Sequence, residues 1–341
     1  MRRIGVLFGI ENSFPGALVE EINLRNVPGV RAEFVEVGVA PMEPASGEMH
    51  YAVIVDRISH QIPFYRSYLK VAALSGTTVI NNPFWQSADD KFLNYALAAR
   101  LGVAVPPTML VPHKLPPNGT TERSLRNIEF PLNWDRVFLA VGEHGFLKPI
   151  DGGGWRDVYE VRGRDEFFRI YEQTRELCMV YQQAVDFDAY FRCCVVGQKW
   201  VRTMAYDPRR PHEERYVPAW KHVPKSLIRG MERDAVTLCR ALGYDVNTVE
   251  FALADGIAYA IDFMNPVPDA DPNSVGRANF TWIVEQVADL AIAKALAPPQ
   301  PPELRAAVLL GAQPQPAKRK RKKTSRKSVK AEVLAKLESK S

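Results

Sequence analysis

A chain of 341 residues, 46% hydrophobic and 24% charged, has room for two or three domains whose cores need no disulfide. Its four cysteines (Cys178, Cys193, Cys194 and Cys239) form no C-x-x-C pair and have no His at zinc spacing, and no apolar run reads as a membrane segment, so a disulfide scaffold, a zinc module and a membrane protein are all excluded in favour of reduced thiols in the cytoplasm. The net charge of +5 is concentrated at one end: Lys318 to Ser341 holds eleven Lys and Arg against two Glu, a local balance of +9, and the rest is mildly acidic at −4.

The opening MRRIGVLFGI reads as a buried first strand, because Glu11 and Asn12 end the apolar run too early for a signal peptide. Strand-like runs RIGVLFG, VRAEFVEVG, YAVIVDRIS and TTVINNP alternate with helices at Pro15 to Arg25 and Phe64 to Leu74, which predicts a parallel sheet with helices on its faces. A third helix is expected in SADDKFLNYALAARLG, with Ser87 as N-cap and Gly102 closing it. VAVPPTMLV, a less regular stretch, FLKPI, a glycine run and VYEV follow. DEFFRIYEQTREL reads as a helix, CMVYQQAVDF and YFRCCVVGQKWVRTMAY as strands, and PKSLIRGMERDAVTLCRALGY as a helix stopped by Gly243. TVEFALADGIAYAIDF is a hairpin and NFTWIVEQVADLAIAKALA the last long helix. The segment GAQPQPAKRKRKKTSRKS has the composition of a disordered tail.

The hairpin carries the most chemistry. A three-residue loop, Ala254-Asp255-Gly256, with glycine left-handed, puts Val249, Phe251 and Leu253 on one face with Ile257, Tyr259 and Ile261. The other face then carries Glu250, Ala252, Ala258, Ala260 and Asp262, two acids as diagonal neighbours among alanines, within reach of one hard cation. A solvated outer face is the plain alternative. Asn265, three residues beyond Asp262, joins such a site only through a bulge or turn.

Lys148 lies in an apolar strand, where a charge needs a partner. Gly152, Gly153 and Gly154 follow, a backbone suited to phosphate, although Asp151-Gly152 is also an ordinary turn and the Walker A ending is missing. Lys91 is either a surface lysine near a cap or a second cation for the same ligand. Arg192 and Arg202 lie in strands and need acidic or phosphate partners. Arg57 and His60 stand after a predicted parallel strand, where open sheets bind ligands, and an ion pair is the alternative for Arg57. Lys221, His222 and Arg277 fall in loops able to close over a substrate.

The order of these elements over roughly residues 1 to 295 resembles the ATP-grasp superfamily, nearest to carboxylate–amine ligases of the glutathione synthetase and ribosomal-protein glutamate ligase kind. Asp90-Lys91 looks like its first nucleotide lysine, and FLKP with GGG like its second, Lys148, and its phosphate-covering loop. Gln182, Gln183, Ala184 and Val185 look like the adenine hinge, Asp188 like a ribose contact and Arg192 like a phosphate-side arginine. TVEFAL and AIDFMNP look like the paired metal strands, giving Glu250, Asp262 and Asn265 as ligands. The chain departs from the pattern at Gln183, where a Glu is usual, at the spacing of Asn265, and at Trp155 in the glycine loop.

The resemblance implies an ATP-grasp α/β fold with an N-terminal Rossmann-like domain at 1–85, a central lobe at 86–182, a C-terminal lobe with the metal at 183–300, and a basic tail at 311–341. It implies ATP with Mg²⁺ (or Mn²⁺), small-molecule or peptide carboxylates and amines as substrates, Arg192, Lys148 and Asn265 as catalytic groups, and Arg57, His60 and Arg202 as substrate contacts. It leaves a homodimer open. Two alternatives stand beside the ligase: a small-molecule kinase on the same fold, and a polyanion or nucleic-acid binder working through weak contacts of the tail.

Overall fold

A computed structural model describes residues 1–37, 50–220 and 223–298. The basic tail expected at 311–341 and the pair Lys221-His222 lie outside them. The first ~90 residues run β1 (Arg2–Leu7), α1 (Phe14–Leu24), β2 (Val30–Phe34), β3 (Val53–Asp56), α2 (Pro63–Leu74), β4 (Thr78–Ile80) and a short α3 (Pro83–Ala88). The strands form a parallel sheet in the order β2-β1-β3-β4. Both α1 and α2 start with Pro in the first turn, where the missing N–H costs nothing.

α4 (Lys91–Arg100) begins separately from α3, and its cap is Asp90, whose carboxylate accepts the Leu93 N–H at 2.7 Å. The expected cap Ser87 instead falls inside α3. The chain leaves helical geometry at Asp89 and Asp90, and the acid nearest the break takes the orphan N–H. The central lobe follows as β5 (Thr108–Val111), α5 (Trp134–Val141), β6 (His144–Pro149), β7 (Tyr159–Arg162), α6 (Arg164–Thr174) and β8 (Met179–Gln183), an antiparallel sheet in the order β5-β8-β6-β7. The stretch read as irregular before FLKPI contains α5, which buries only Phe138 and Val141.

The last lobe is β9 (Ala189–Val196), β10 (Trp200–Ala205), α7 (Lys225–Leu242), β11 (Val246–Ala254) and β12 (Ile257–Asp262), followed by α8 (Pro272–Val275) and α9 (Arg277–Leu296), with sheet order β10-β9-β11-β12. α7 buries Met231, Ala235, Leu238, Cys239 and Leu242, a helical stripe that meets Phe191, Cys193, Val195, Val249 and Phe251 on one face of this sheet. Gly243 ends the helix at φ 72°, and a Cβ there would also meet the Trp85 ring at 2.9 Å. α9 is apolar on most of its circumference because it lies between two sheets, packing on Ile4, Val6, Val53 and Val55 of the first and Cys194, Val196 and Val246 of the third. Asn81 adds a polar staple across the same boundary, exchanging two hydrogen bonds with the Val246 backbone at 2.8 and 2.7 Å and donating to the Pro266 carbonyl at 3.0 Å.

The β11–β12 hairpin departs from its expected register. Its loop is the two residues Asp255 and Gly256, both left-handed (φ 50° and 75°), as a tight hairpin requires. Phe251 therefore pairs with Ala260 and Leu253 with Ala258. These alanines pack on the core side with α7, while Ile261 turns to the other face beside Ala252 and Tyr190. The alanine-lined face is thus replaced by a more aromatic one. The register then shifts between Phe251 and Glu250, with Ile261 as the extra residue of a β-bulge, and Glu250 comes directly opposite Asp262. The bulge carbonyl of Ile261 accepts the Tyr95 hydroxyl of α4 at 2.8 Å.

Candidate active site

The second and third sheets are joined by residues 184–188, and the charged groups singled out in the sequence converge between them. Lys148, on β6, is 7% exposed and donates to the Gln182 side-chain carbonyl at 2.7 Å. Burial lowers its pKa to about 8, Asp262 and Glu250 pull it back up, and Lys91 adds to the depression, so all four charges feel one another. Lys91 is equally buried. Its N–H bonds the Ile150 carbonyl at 2.8 Å and its ammonium the Gly152 carbonyl at 2.7 Å, tying the start of α4 to both ends of β6's exit.

The glycines lie in the loop that turns β6 into β7. Gly152 and Gly154 have φ of 95° and 69°, and a Cβ on any of the three would meet nothing within 4 Å. Glycine adopts this left-handed backbone without strain, and the side on which a Cβ would stand is open. Trp155 beside them is half exposed, with the Arg215 guanidinium 5.3 Å from its ring centroid.

On the third sheet, Arg192 of β9 lies directly across from Glu250 of β11. Its Nε and Nη2 donate to Glu250 Oε1 at 2.9 and 2.6 Å, and its Nη1 to the Tyr216 hydroxyl at 3.0 Å. Tyr190 donates to Glu250 Oε2 at 2.6 Å, and the Arg192 guanidinium lies 4.1 Å from the centroid of Tyr206. Asp262 is half buried and accepts the Met264 N–H at 3.2 Å, a turn that ends the strand at once. The Asn247 side chain holds that turn, donating to the Phe263 carbonyl at 2.8 Å and accepting the Asn265 N–H at 3.1 Å. Asn265 therefore sits just past the departure from strand geometry that the sequence required of it.

The described residues contain no cluster of three or more His, Cys, Asp or Glu able to hold a metal. The Glu250–Asp262 pair with Asn265 is a set of hard oxygen donors of the kind Mg²⁺ takes, and it fits on lone-pair grounds. A carboxylate has about four acceptor sites, and three on Glu250 are used, leaving one on Oε2.

The hinge residues are less open than their sequence suggests. The Gln182 amide is engaged at both ends, accepting from Lys148 and donating to Thr108 at 3.0 Å. The N–H groups of Gln183 and Ala184 go to the carbonyls of Pro107 and His144 at 2.9 and 3.0 Å. Val185 packs with Tyr190, Tyr206 and Ala252 on the site face, and Asp188 is exposed at the start of β9, its N–H bonded to Leu253.

The three substrate candidates have different surroundings. Arg57 is buried in an ion pair with Glu11, donates to the Pro268 carbonyl at 2.7 Å and lies over Phe14 at 4.6 Å. Its ion-pair alternative is what the structure shows. His60 is exposed by surface area, yet enough protein surrounds it that desolvation lowers its pKa against the pull of Asp56. Arg202 donates to Asn279 of α9 at 2.8 Å. What the sequence did not disclose is the tyrosine set, Tyr190, Tyr206 and Tyr216, which no spacing marks because the three come from two strands and a loop.

No family model matches this sequence, and no curated protein does. Solved structures do. A RimK-domain ATP-grasp protein from Sphaerobacter thermophilus superposes with a TM-score of 0.61 at 18% identity, covering 84% of this chain and 98% of its own. The chain has the ATP-grasp fold. A D-alanine–D-alanine ligase from Bacillus anthracis gives 0.61 at 16% identity, over 87% of this chain and 98% of the ligase. The ATP-grasp ligase PsnB, complexed with a minimal precursor, Mg and ADP, gives 0.56 at 16%, over 86% and 98%.

Proposed function

We propose that this chain is an ATP-dependent ligase that activates a carboxylate as an acylphosphate and passes the acyl group to an amine or a similar nucleophile. The observation that carries the reading is the meeting of two buried lysines and a glycine loop from one lobe with the Arg192–Glu250–Asp262 set from the other. Lys148 and Lys91 would hold nucleotide phosphate oxygens as fixed charges. The glycine loop would cover those phosphates, the segment Gln182 to Val185 would flank the base, and Asp188 would meet the ribose. Glu250, Asp262 and Asn265 would hold Mg²⁺ or Mn²⁺, which supplies charge screening between phosphates.

In the first step the acceptor carboxylate oxygen attacks the terminal phosphorus and ADP leaves. In the second the nucleophile attacks the acyl carbon, and inorganic phosphate leaves with the acyl C–O bond broken. Arg192 has five N–H donors, of which Glu250 and Tyr216 take three, and the other two are available to phosphoryl oxygens in both steps. The protein contributes position and charge, with no covalent intermediate on its own side chains.

The test is release of ADP and free phosphate with Mg-ATP and a panel of amino acids, short peptides and small carboxylates. Lys148→Ala should lower the rate by about 10²–10³-fold. Full activity in that variant, or no acceptor-dependent turnover with any acceptor, would sink the proposal. Phosphate found on the product instead of free would replace the ligase by a kinase.

A further inference from the structure

The segment after β10 folds back on the strand it has just left. Tyr206 and Tyr216 form a β-bridge, the Asp207 N–H bonds the Arg215 carbonyl at 2.7 Å, and the Val217 N–H bonds the Ala205 carbonyl at 3.1 Å. Residues 215–217 are therefore an extra rung on the edge of the third sheet. Successive side chains on such a rung point to opposite sides. Arg215 reaches out to the Trp155 ring in the glycine loop, and Tyr216 reaches in to Arg192. One dipeptide thus touches the Trp155 ring of the glycine loop and the Arg192 guanidinium.

We propose that Arg215 and Tyr216 are positioning residues that couple the placement of the glycine loop to the orientation of the Arg192 guanidinium. This rests on the ligase reading above. A planar guanidinium held at one edge by Glu250 still tilts about that edge. Tyr216 fixes the opposite nitrogen, and the Tyr206 ring, edge-to-face with Tyr216 at 5.1 Å, supports its flat side. Only then do the two spare N–H groups have one direction. Because the rung is stapled to β10 by backbone bonds, it moves as a unit, and a glycine loop drawn down by phosphates pulls on it through Trp155. The same link gives a bulky Trp155 a use in a loop otherwise made of glycine.

The test is a double-mutant cycle of Trp155→Ala and Tyr216→Phe, read on the Kd of the Mg complex of a non-hydrolysable ATP analogue by calorimetry and on kcat with the best acceptor. Trp155 and Tyr216 contact different residues, so independent effects would multiply. The coupling requires the double variant to bind within about twofold of the weaker single one, short of the product of the two losses by about threefold or more. Arg215→Gln, which leaves both rings in place, should reproduce Trp155→Ala and remove the interaction. Tyr216→Phe alone should lower kcat by about tenfold and weaken the nucleotide analogue by about fivefold or more, so that both single variants enter the cycle with a measurable loss. Multiplicative losses, or an Arg215→Gln protein indistinguishable from wild type, overturn the coupling while leaving the ligase reading intact. A wild-type protein that does not bind the nucleotide overturns both.

Discussion

Two arginine–glutamate pairs with largely buried guanidinium groups are found among the described residues, and their surroundings differ. Arg57 with Glu11 spends three donors: the carboxylate takes Nε and Nη2, the Pro268 carbonyl takes a second N–H of Nη2, and Phe14 covers the face. Arg192 with Glu250 spends three donors as well, but it belongs to a wider set of charges, since Glu250 and Asp262 both act on Lys148. Burial and pairing therefore do not separate a staple from a site. The second tier of charges around Glu250 does.

Substitution should pull the two pairs apart. Arg192→Met should reduce turnover by about 10²–10³-fold, since it removes donors aimed at the transferred group. Arg57→Met should leave turnover within a few-fold but cost about 3 kcal/mol of stability in denaturant unfolding, because Glu11 and the Pro268 carbonyl lose their partner. An Arg57→Met protein that unfolds like wild type and loses turnover would return Arg57 to the substrate site.

A smaller contrast is in pH. Lys148 carries a pKa lowered to about 8 against an ordinary 10.5. The unfolded chain holds the extra proton between those values, so this group makes stability rise with pH there. Nucleotide affinity should run the other way, falling above about pH 8 as the ammonium is lost, and Lys148→Arg should flatten the fall. Asp89, buried beside Tyr244, is raised from 3.8 to about 6. The folded state holds the extra proton here, so its contribution is complete below about pH 3.8 and is lost as pH rises through 6. Asp89→Asn should remove that slope and raise stability at pH 8 by at most about 3 kcal/mol, measured as a pH series of melting curves. The smallest effect belongs far from both pairs: Gly256→Ala at φ 75° should cost about 1 kcal/mol in the same unfolding assay and leave turnover alone.

The parallel sheet, its two helices and the stop of α7 at Gly243 were legible because local signals and tertiary packing agree there. The need of Lys148 and Arg192 for partners was legible as well, since a charge inside an apolar strand must be met. The cap of α4 was missed because Ser87, Asp89 and Asp90 are all competent, and the break after α3 chooses among them. The partners of Gln182 were not legible, because Lys148 and Thr108 meet its amide from other strands. The tyrosines around Arg192 were invisible for a related reason. Tyr190, Tyr206 and Tyr216 become neighbours only through strand pairing, and sequence distance carries no trace of it.

The bulge at Ile261 is best understood as a matter of parity. Side chains on a strand alternate like even and odd numbers, and a two-residue turn would leave Glu250 and Asp262 with opposite parity across the ladder. One extra residue restores agreement, and it could be added in the turn or in the strand. This chain adds it in the strand, so the two acids meet face to face instead of on a diagonal, and the spare carbonyl created by the insertion becomes the acceptor for Tyr95 on the helix that begins with Lys91. A single counting error in β12 thus ties the hairpin of the two acids to the helix that begins with Lys91.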